Sequence, residues 1–149
     1  MKQKHELFVF WDQVAQLVHM VETALGQWLM THYNLGLTEY RAVVYVSQSQ
    51  AQEVRLNDLA AHLNLNQSSV TRLVIRMEKK GLLMRDSCPS DGRGVYAKLT
   101  SKGGVLVRQA QPAYNMMLKQ TIGTVATKCS AEDSVHVSDS LAALAQYIQ

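Results

Sequence analysis

The chain is poor in cysteine and proline, with two of each among its 149 residues, and only 7% of its residues are aromatic. Cys88 and Cys129 are too few for a disulfide framework or for a zinc site built on cysteines. No group of His, Asp and Glu has the spacing of a metal site, so we expect neither a metal nor any other cofactor. These shortages argue against the disulfide-rich secreted proteins and against the metal-dependent classes.

Long apolar runs are missing as well. The stretch 7–29 is interrupted by polar side chains, namely Asp12, Gln13, Gln16, His19 and Glu22. We therefore expect no signal peptide and no membrane span, and predict a cytoplasmic protein. The hydrophobic share of 47% is nevertheless ample for a packed core, so the composition is that of a folded chain.

Basic charge is concentrated in one part of the sequence. The whole chain carries a net charge of only +3, but residues 55–108 hold ten basic and four acidic side chains, a net charge of +6. The remaining residues carry a net charge of −3. A basic segment of this kind is typical of a nucleic-acid contact, although a solvated surface with uneven charge would produce the same numbers.

The basic segment begins with the pattern of two short helices joined by a tight turn. Asn57 and Asn66 are placed to cap the two helices, and Gly81 is placed to end the second. The second helix starts with small polar residues and continues with basic ones, the set being Gln67, Ser68, Ser69, Thr71, Arg72 and Arg76. Short polar side chains at a helix start suit insertion into the major groove of duplex DNA.

A hairpin is predicted after these helices. Residues 82–85 and 95–99 read as paired strands, and the connection between them is polar and rich in turn residues. Thr100 is predicted to cap a helix that follows, and Pro112 predicts a kink or a break within that helix. Val54-Arg55-Leu56 reads as a short extended piece before the first of the two short helices.

Both ends of the chain are predicted to be helical. Residues 5–32 have the three- and four-residue spacing of one long amphipathic helix, and Thr38 is placed to cap the next helix. A last helix is predicted from about Ser130, with a seam of apolar residues at steps of three and four. The simplest use of these apolar stripes is an interface between two copies of the chain, although packing within a monomer is the alternative.

These segments together resemble the MarR-type family of winged helix-turn-helix repressors. The resemblance rests on LTEYRAVVYV, on LNDLAAHLNLNQSSVTRLVIRMEKKGLLMR and on PSDGRGVYAKLTSKG, in this order, and covers nearly the whole chain. It implies a mainly α fold with a small β wing, in which both termini build a helical dimerisation domain. The expected boundaries are 1–36 for the N-terminal dimerisation helix, 37–103 for the winged helix-turn-helix region and 104–149 for the C-terminal dimerisation helices.

The resemblance also implies a function. We expect a sequence-specific transcriptional regulator, a repressor that binds double-stranded DNA at a palindromic operator as a homodimer. It places Gln67, Ser68, Ser69, Thr71 and Arg72 in or beside the major groove and Arg93 at the wing tip in the minor groove, where narrowing concentrates negative potential.

Four further charged residues have supporting roles in this prediction. Arg76, Lys79 and Lys98 are expected near phosphates, with a solvated surface charge as the alternative for each. Asp91 is expected to orient the wing by pairing with a nearby arginine, either Arg72 or Arg76.

Many members of the family that the chain resembles release DNA on binding small aromatic ligands. A pocket for such an effector is expected between the helical domain and the DNA-reading region, lined by Trp11, His19, Met20, Trp28 and Tyr40. Aromatic and Met side chains at helical spacing are more often core residues, so this prediction has a plain structural alternative.

Three other functions compete with this one. Cys88 in the wing would allow a redox-responsive regulator, but members that sense peroxide carry their cysteine in the first helix, and residues 1–33 contain none. An adaptor that has lost DNA binding is argued against by the basic wing. An enzyme is not expected, because no motif aligns Cys88 with His62 or His136.

Overall fold

The computed structural model describes residues 2–87 and 94–126, and describes the side chains of residue 8 and of residues 11–87 and 94–124. Helices and a small sheet follow one another within this part of the chain. In order they are α1 (Lys2–Tyr33), α2 (Leu37–Gln48), β1 (Glu53–Arg55), α3 (Leu56–His62), α4 (Gln67–Lys79), β2 (Leu83–Ser87), β3 (Val95–Leu99) and α5 (Ser101–Ala126). The mainly α fold with a small β wing is thereby confirmed. No helix in the described ranges is long and apolar enough to cross a membrane.

The chain divides into two compact units. One unit is Leu25–Tyr114, and the other combines Met1–Ala24 with Asn115–Gln149. The first unit holds α2, α3, α4 and an antiparallel sheet in which β3 lies between β1 and β2. In this sheet Ala97 of β3 lies opposite Val54 on one side and Arg85 on the other.

The core of the Leu25–Tyr114 unit is built around one face of α4. Val70, Leu73, Val74 and Met77 are at most 2% exposed and lie at helical spacing on this face. They belong to one cluster with buried side chains of α2, α3 and the sheet, among them Val43, Val46, Leu56, Leu59, Leu83 and Ala97. Burial of such side chains stabilises the fold by roughly 1.5–3 kcal/mol each.

Local hydrogen bonds fix both ends of α4. The Asn66 side chain accepts a hydrogen bond from the Ser69 backbone N–H at 2.8 Å, so Asn66 is the N-cap, as predicted. At the other end Gly81 has a φ of +72°. Gly81 N–H donates to Glu78 and Leu82 N–H donates to Met77, both at 2.9 Å. This pair of bonds is the Schellman motif, in which the left-handed residue is usually glycine.

Two predicted caps are wrong, for identifiable reasons. The N-cap of α2 is Gly36, not Thr38, because the Glu39 carboxylate accepts from Gly36 N–H at 3.1 Å and α2 begins at Leu37. The N-cap of α3 is Arg55, not Asn57. Arg55 is the last residue of β1, and the helix follows the strand with no intervening loop.

Helix α5 has no break at Pro112. A single helix runs from Ser101 to Ala126 with Pro112 inside it, so of the two expected outcomes the break is wrong and the kink stays a prediction. Proline removes one hydrogen bond, and tertiary packing can offset that loss. Here Ala110 is fully buried against Leu29 and Tyr40. Thr100 caps α5 as predicted, accepting from Gly103 N–H at 3.0 Å. The helix predicted from Ser130 lies outside the described residues.

Gly103 provides a test of how closely α5 approaches the end of α4. A Cβ at this position would lie 2.2 Å from the Leu82 carbonyl oxygen, a backbone atom that cannot move aside cheaply. We predict that Gly103→Ala lowers the free energy of unfolding by about 1–3 kcal/mol.

The neighbouring glycine is the matched control for this substitution. A Cβ at Gly104 would make only ordinary contacts, at 3.5 Å or more. Gly104→Ala should therefore raise stability by up to about 1 kcal/mol through helix propensity. Urea unfolding of both variants measures the difference, and equal stabilities would contradict the close approach.

Candidate nucleic-acid interface

Helix α4 turns a polar face away from the core. Ser68, Arg72 and Arg76 follow one another at steps of four and are exposed, opposite the buried stripe. Gln67 is also exposed, while Ser69 and Thr71 are partly buried. The structure therefore leaves Gln67, Ser68, Arg72 and Arg76 on a solvent-facing surface that starts at the helix N-terminus, with Ser69 and Thr71 only partly exposed.

A cleft lies between the start of α4 and the sheet. It has a volume of about 400 Å³ and is lined by Arg55, Leu56, Asn57, Gln67, Thr71, Arg85, Gly94 and Val95. Sequence reasoning did not select Arg55, Asn57 or Arg85 for this surface. Asn57 lies in the predicted helix-turn-helix and Arg85 in a predicted strand of the hairpin, but the pairing of β1 with β3, which places Arg55 in the sheet, was not predicted.

The sheet side of α4 is held by an ion pair. Glu78 accepts from Arg85 of β2 through Nε at 3.0 Å and through Nη2 at 2.9 Å. In the sheet itself, Arg55 Nε donates to the Tyr96 hydroxyl at 2.8 Å and so links β1 to β3. The first contact joins α4 to β2, and the second joins two strands within the sheet.

The structure describes the base of the wing but not its tip. Lys98 is exposed on β3, where its neighbour Ala97 is fully buried, so Lys98 is on the outer face of the sheet. Arg93, Asp91 and Cys88 lie outside the described residues. Their predicted roles in the minor groove, in wing orientation and in redox sensing stay predictions.

The other flank of α4 is held by Glu39 of α2. Arg76 Nε donates to Glu39 Oε1 at 3.1 Å, and Lys80 Nζ donates to Oε2 at 2.7 Å. The sequence prediction named Arg72 or Arg76 as partners of Asp91 and did not find Glu39. The available signal was an acid at the third position of a helix, where its carboxylate can accept from the N-cap N–H, which is one half of a capping box.

Glu39 is the one charged side chain among the described residues that is classed with the buried ones, at 9% exposure. Burial raises the pKa of its carboxyl, but hydrogen bonds from Lys80, Gly36 and Arg76 outweigh this effect and lower the pKa below its ordinary value of 4.5. A carboxyl with a lowered pKa stabilises the fold above its unfolded pKa. This contribution is lost as the pH falls below 4.5 and through the folded-state pKa.

The five residues predicted to line an effector pocket are divided between the two units. Trp11, His19 and Met20 are exposed and belong to the unit that contains residues 1–24. Trp28 and Tyr40 belong to the Leu25–Tyr114 unit, in which Trp28 stacks on His32 and Tyr40 is a buried core residue, 3% exposed. A shared pocket stays a prediction.

Tyr40 has an unusual environment for a phenol. Its ring lies 4.6 Å from the ring of Tyr114, and its buried hydroxyl has no hydrogen-bond partner in the described part of the chain. Burial, together with Tyr114 and Tyr33, raises the pKa of Tyr40 to about 12. The resulting stability is fully present below the unfolded pKa of about 10 and is lost as the pH rises towards 12.

An unpaired buried hydroxyl contributes nothing to offset its desolvation, so we predict that Tyr40→Phe leaves the free energy of unfolding unchanged or raises it by about 1 kcal/mol. The variant should also lose less stability than the wild type between pH 10 and 12. Tyr96→Phe is the control, because the Tyr96 hydroxyl has a partner and its removal should reduce stability. A clear loss of stability in Tyr40→Phe would show that the hydroxyl has a partner after all.

The geometry is that of a winged helix-turn-helix: α3 and α4 joined by a tight turn, a polar face on α4, and a β2–β3 hairpin beside it. Residues 35–95 match the family model of the MarR family. Over these residues the chain is similar to the MarR family, the family that the sequence motifs resemble.

Curated relatives are similar to this chain over part of their length. The chain is 26% identical over 107 residues to the uncharacterized HTH-type transcriptional regulator YdgJ of Bacillus subtilis, covering 72% of this chain and 63% of the relative. It is 30% identical over 83 residues to the homoprotocatechuate degradative operon repressor of Escherichia coli, covering 56% of this chain and 55% of the relative. The chain thus spans less than two thirds of the length of these relatives.

Solved structures are similar to this chain in fold. Sco3205, a MarR family transcriptional regulator from Streptomyces coelicolor crystallised in complex with DNA, superposes with a TM-score of 0.79 at 24% identity, covering 97% of this chain and 89% of that one. The apo form of MarR from Escherichia coli superposes with a TM-score of 0.74 at 19% identity, covering 89% and 94%. At these identities the likeness concerns the fold.

Proposed function

We propose that the chain is a sequence-specific DNA-binding regulator of transcription, acting in the cytoplasm as a repressor. The observation that carries this proposal is the exposed polar face of α4, on which Ser68, Arg72 and Arg76 lie at steps of four opposite a buried apolar stripe. A helix anchored on one side and polar on the other can enter a major groove without losing its own core contacts.

Side-chain chemistry supports a division of roles along this face. Gln67, Ser68 and Ser69 are short and polar at the helix start, so they allow close approach to base edges and phosphates. Arg72 lies one turn further on, where a guanidinium can reach a guanine or a phosphate. The net charge of +6 on residues 55–108 supplies the attraction to the phosphate backbone.

A homodimer is part of the proposal. Large apolar side chains are exposed on the segments of α1 and α5 outside the Leu25–Tyr114 unit: Phe8, Trp11, Val18, Met20, Met116 and Ile122. Burial between two copies would remove these side chains from water. Two-fold symmetry would then present two α4 helices to major grooves about 34 Å apart, which requires a palindromic operator.

Repression is the direction that the relatives favour. One relative described above is named a repressor of a degradative operon, and Transcriptional repressor MprA of Escherichia coli matches this chain at 23% identity over 90 residues. Release by a small aromatic ligand is the finer form of the proposal. The resemblance to a family in which many members release DNA in this way supports it, whereas Tyr40 itself is a buried core residue.

The direct test is a titration of the purified protein with its own upstream DNA and with random DNA of the same length, at several salt concentrations. Tighter binding to the upstream DNA with a steep salt dependence is expected. Equal affinities for the two DNA molecules would contradict a sequence-specific regulator.

Substitution of Arg72 separates base reading from phosphate contact. If Arg72 contacts a base, Arg72→Ala should reduce the ratio of operator to random-DNA affinity by roughly 5- to 100-fold. Lys119→Ala removes the same charge from the other unit and should preserve the ratio. A proportional loss on both DNA molecules would identify Arg72 as a phosphate contact.

The wing makes an independent prediction. Arg93→Ala should weaken operator binding, because a guanidinium on a hairpin tip can enter a narrow minor groove. The dimer and its melting temperature should be unchanged, which sedimentation and thermal unfolding measure. Wild-type affinity of this variant at moderate salt would remove Arg93 from the interface.

A further inference from the structure

We infer that Glu39, a residue of α2, is a positioning residue for DNA binding: its buried carboxylate holds the Arg76 guanidinium in place for a phosphate contact. The inference rests on the proposed function and adds to it a residue that does not itself face DNA. An acid in this role is unexpected, because its own charge repels the DNA backbone.

The two oxygens of the carboxylate have different partners. Oε2 accepts from Lys80 Nζ at 2.7 Å and from Gly36 N–H at 3.1 Å. Oε1 accepts from Arg76 Nε at 3.1 Å. The bonds to Oε2 fix the orientation of the carboxylate, so that Oε1 stays directed at Arg76.

The residues around Glu39 prevent this arrangement from relaxing. The Glu39 side chain is only 11% exposed, and its carboxylate caps α2 at the helix start. Lys80 is held a second time, since its Nζ also donates to the Asn34 carbonyl at 2.7 Å. Asn34, Gly36 and Glu39 therefore form a fixed junction between α1 and α2 on which the C-terminal end of α4 rests.

The Nε of Arg76 is hydrogen-bonded to the protein, while much of the side chain is exposed to solvent. The bond to Glu39 uses Nε, and 54% of the Arg76 side chain is exposed. Arg76 is one step of four beyond Arg72 on the same face, about 6 Å further along the helix axis. A guanidinium anchored in this way loses less rotamer freedom when its terminal nitrogens bind a phosphate.

Electrostatic repulsion and positioning of Arg76 predict opposite changes in DNA affinity for the same substitution of Glu39. Glu39→Gln removes a negative charge near the proposed DNA face while preserving side-chain size, so charge alone predicts tighter DNA binding. The amide keeps one acceptor oxygen but turns the other into an NH2 donor that faces donors, so the two-oxygen anchor is lost and positioning predicts weaker binding, by roughly tenfold. Asp58→Asn, at an exposed position in the first turn of α3, makes the same charge change without touching Arg76 and should bind as tightly as the wild type or more tightly.

The experiment measures operator affinity against salt concentration for the wild type, Glu39→Gln, Asp58→Asn, Arg76→Gln and the double variant of Glu39 and Arg76. We expect Glu39→Gln and Arg76→Gln each to lower the affinity and to reduce the salt slope by about one phosphate contact. The double variant should bind like Arg76→Gln alone, because the carboxylate acts through that guanidinium. A merely structural role would instead add its loss to that of Arg76.

Two results overturn the inference. One is a Glu39→Gln protein that binds operator as tightly as Asp58→Asn. The other is a loss in the double variant equal to the sum of the two single losses. Thermal unfolding checks that each protein folds. If Glu39→Gln does not fold, Arg76→Lys replaces it, because lysine keeps the positive charge but lacks the guanidinium that Glu39 holds. Wild-type affinity of Arg76→Lys would equally contradict the inference. Failure of the wild type to prefer operator would instead contradict the proposed function itself.

Discussion

The structure depends on burial of one stripe of α4. Val70, Leu73, Val74 and Met77 place this helix in the centre of the core, and the helix cannot rotate without exposing them. Because the stripe is fixed, the opposite face is fixed as well. The orientation of the polar side chains is thus set by hydrophobic packing on the other side of the helix, without any contribution from a ligand.

Ion pairs on the two flanks of α4 refine this orientation. Glu78 with Arg85 is a pair of largely exposed side chains, at 36% and 42% exposure, so solvent screening leaves it little net stabilising effect. Glu39 is different, because it is buried and accepts from three donors. Both pairs lie in the C-terminal half of the helix, and the N-terminal half, where the short polar side chains lie, is kept in place by the Asn66 cap and the turn before it.

Most features that depend on neighbours in the sequence were predictable, although the caps of α2 and α3 were predicted wrongly. Of the contacts between distant residues, only the β2–β3 pairing was predicted. The spacing of apolar residues in α4, the Asn66 and Thr100 caps and the Gly81 terminus were all predicted and are confirmed, since each uses contacts within a few residues. Strand β1 was indicated only as a short extended piece. Its pairing with β3 joins residues more than 40 positions apart. Arg55 lies on this strand, and its place at the cleft was not predicted for that reason. Glu39 was missed for the same reason, as its partner Arg76 is 37 positions away.

The central claim is that α4 reads base edges in a major groove. It is tested most directly by operator DNA in which 7-deaza analogues replace the purines and uracil replaces thymine, changes confined to the major-groove edge. These analogues remove the N7 acceptors and the methyl groups that side chains recognise there. The account predicts that the wild-type protein loses its preference for this operator over random DNA. An unchanged preference would show that the sequence is read elsewhere and would contradict the account.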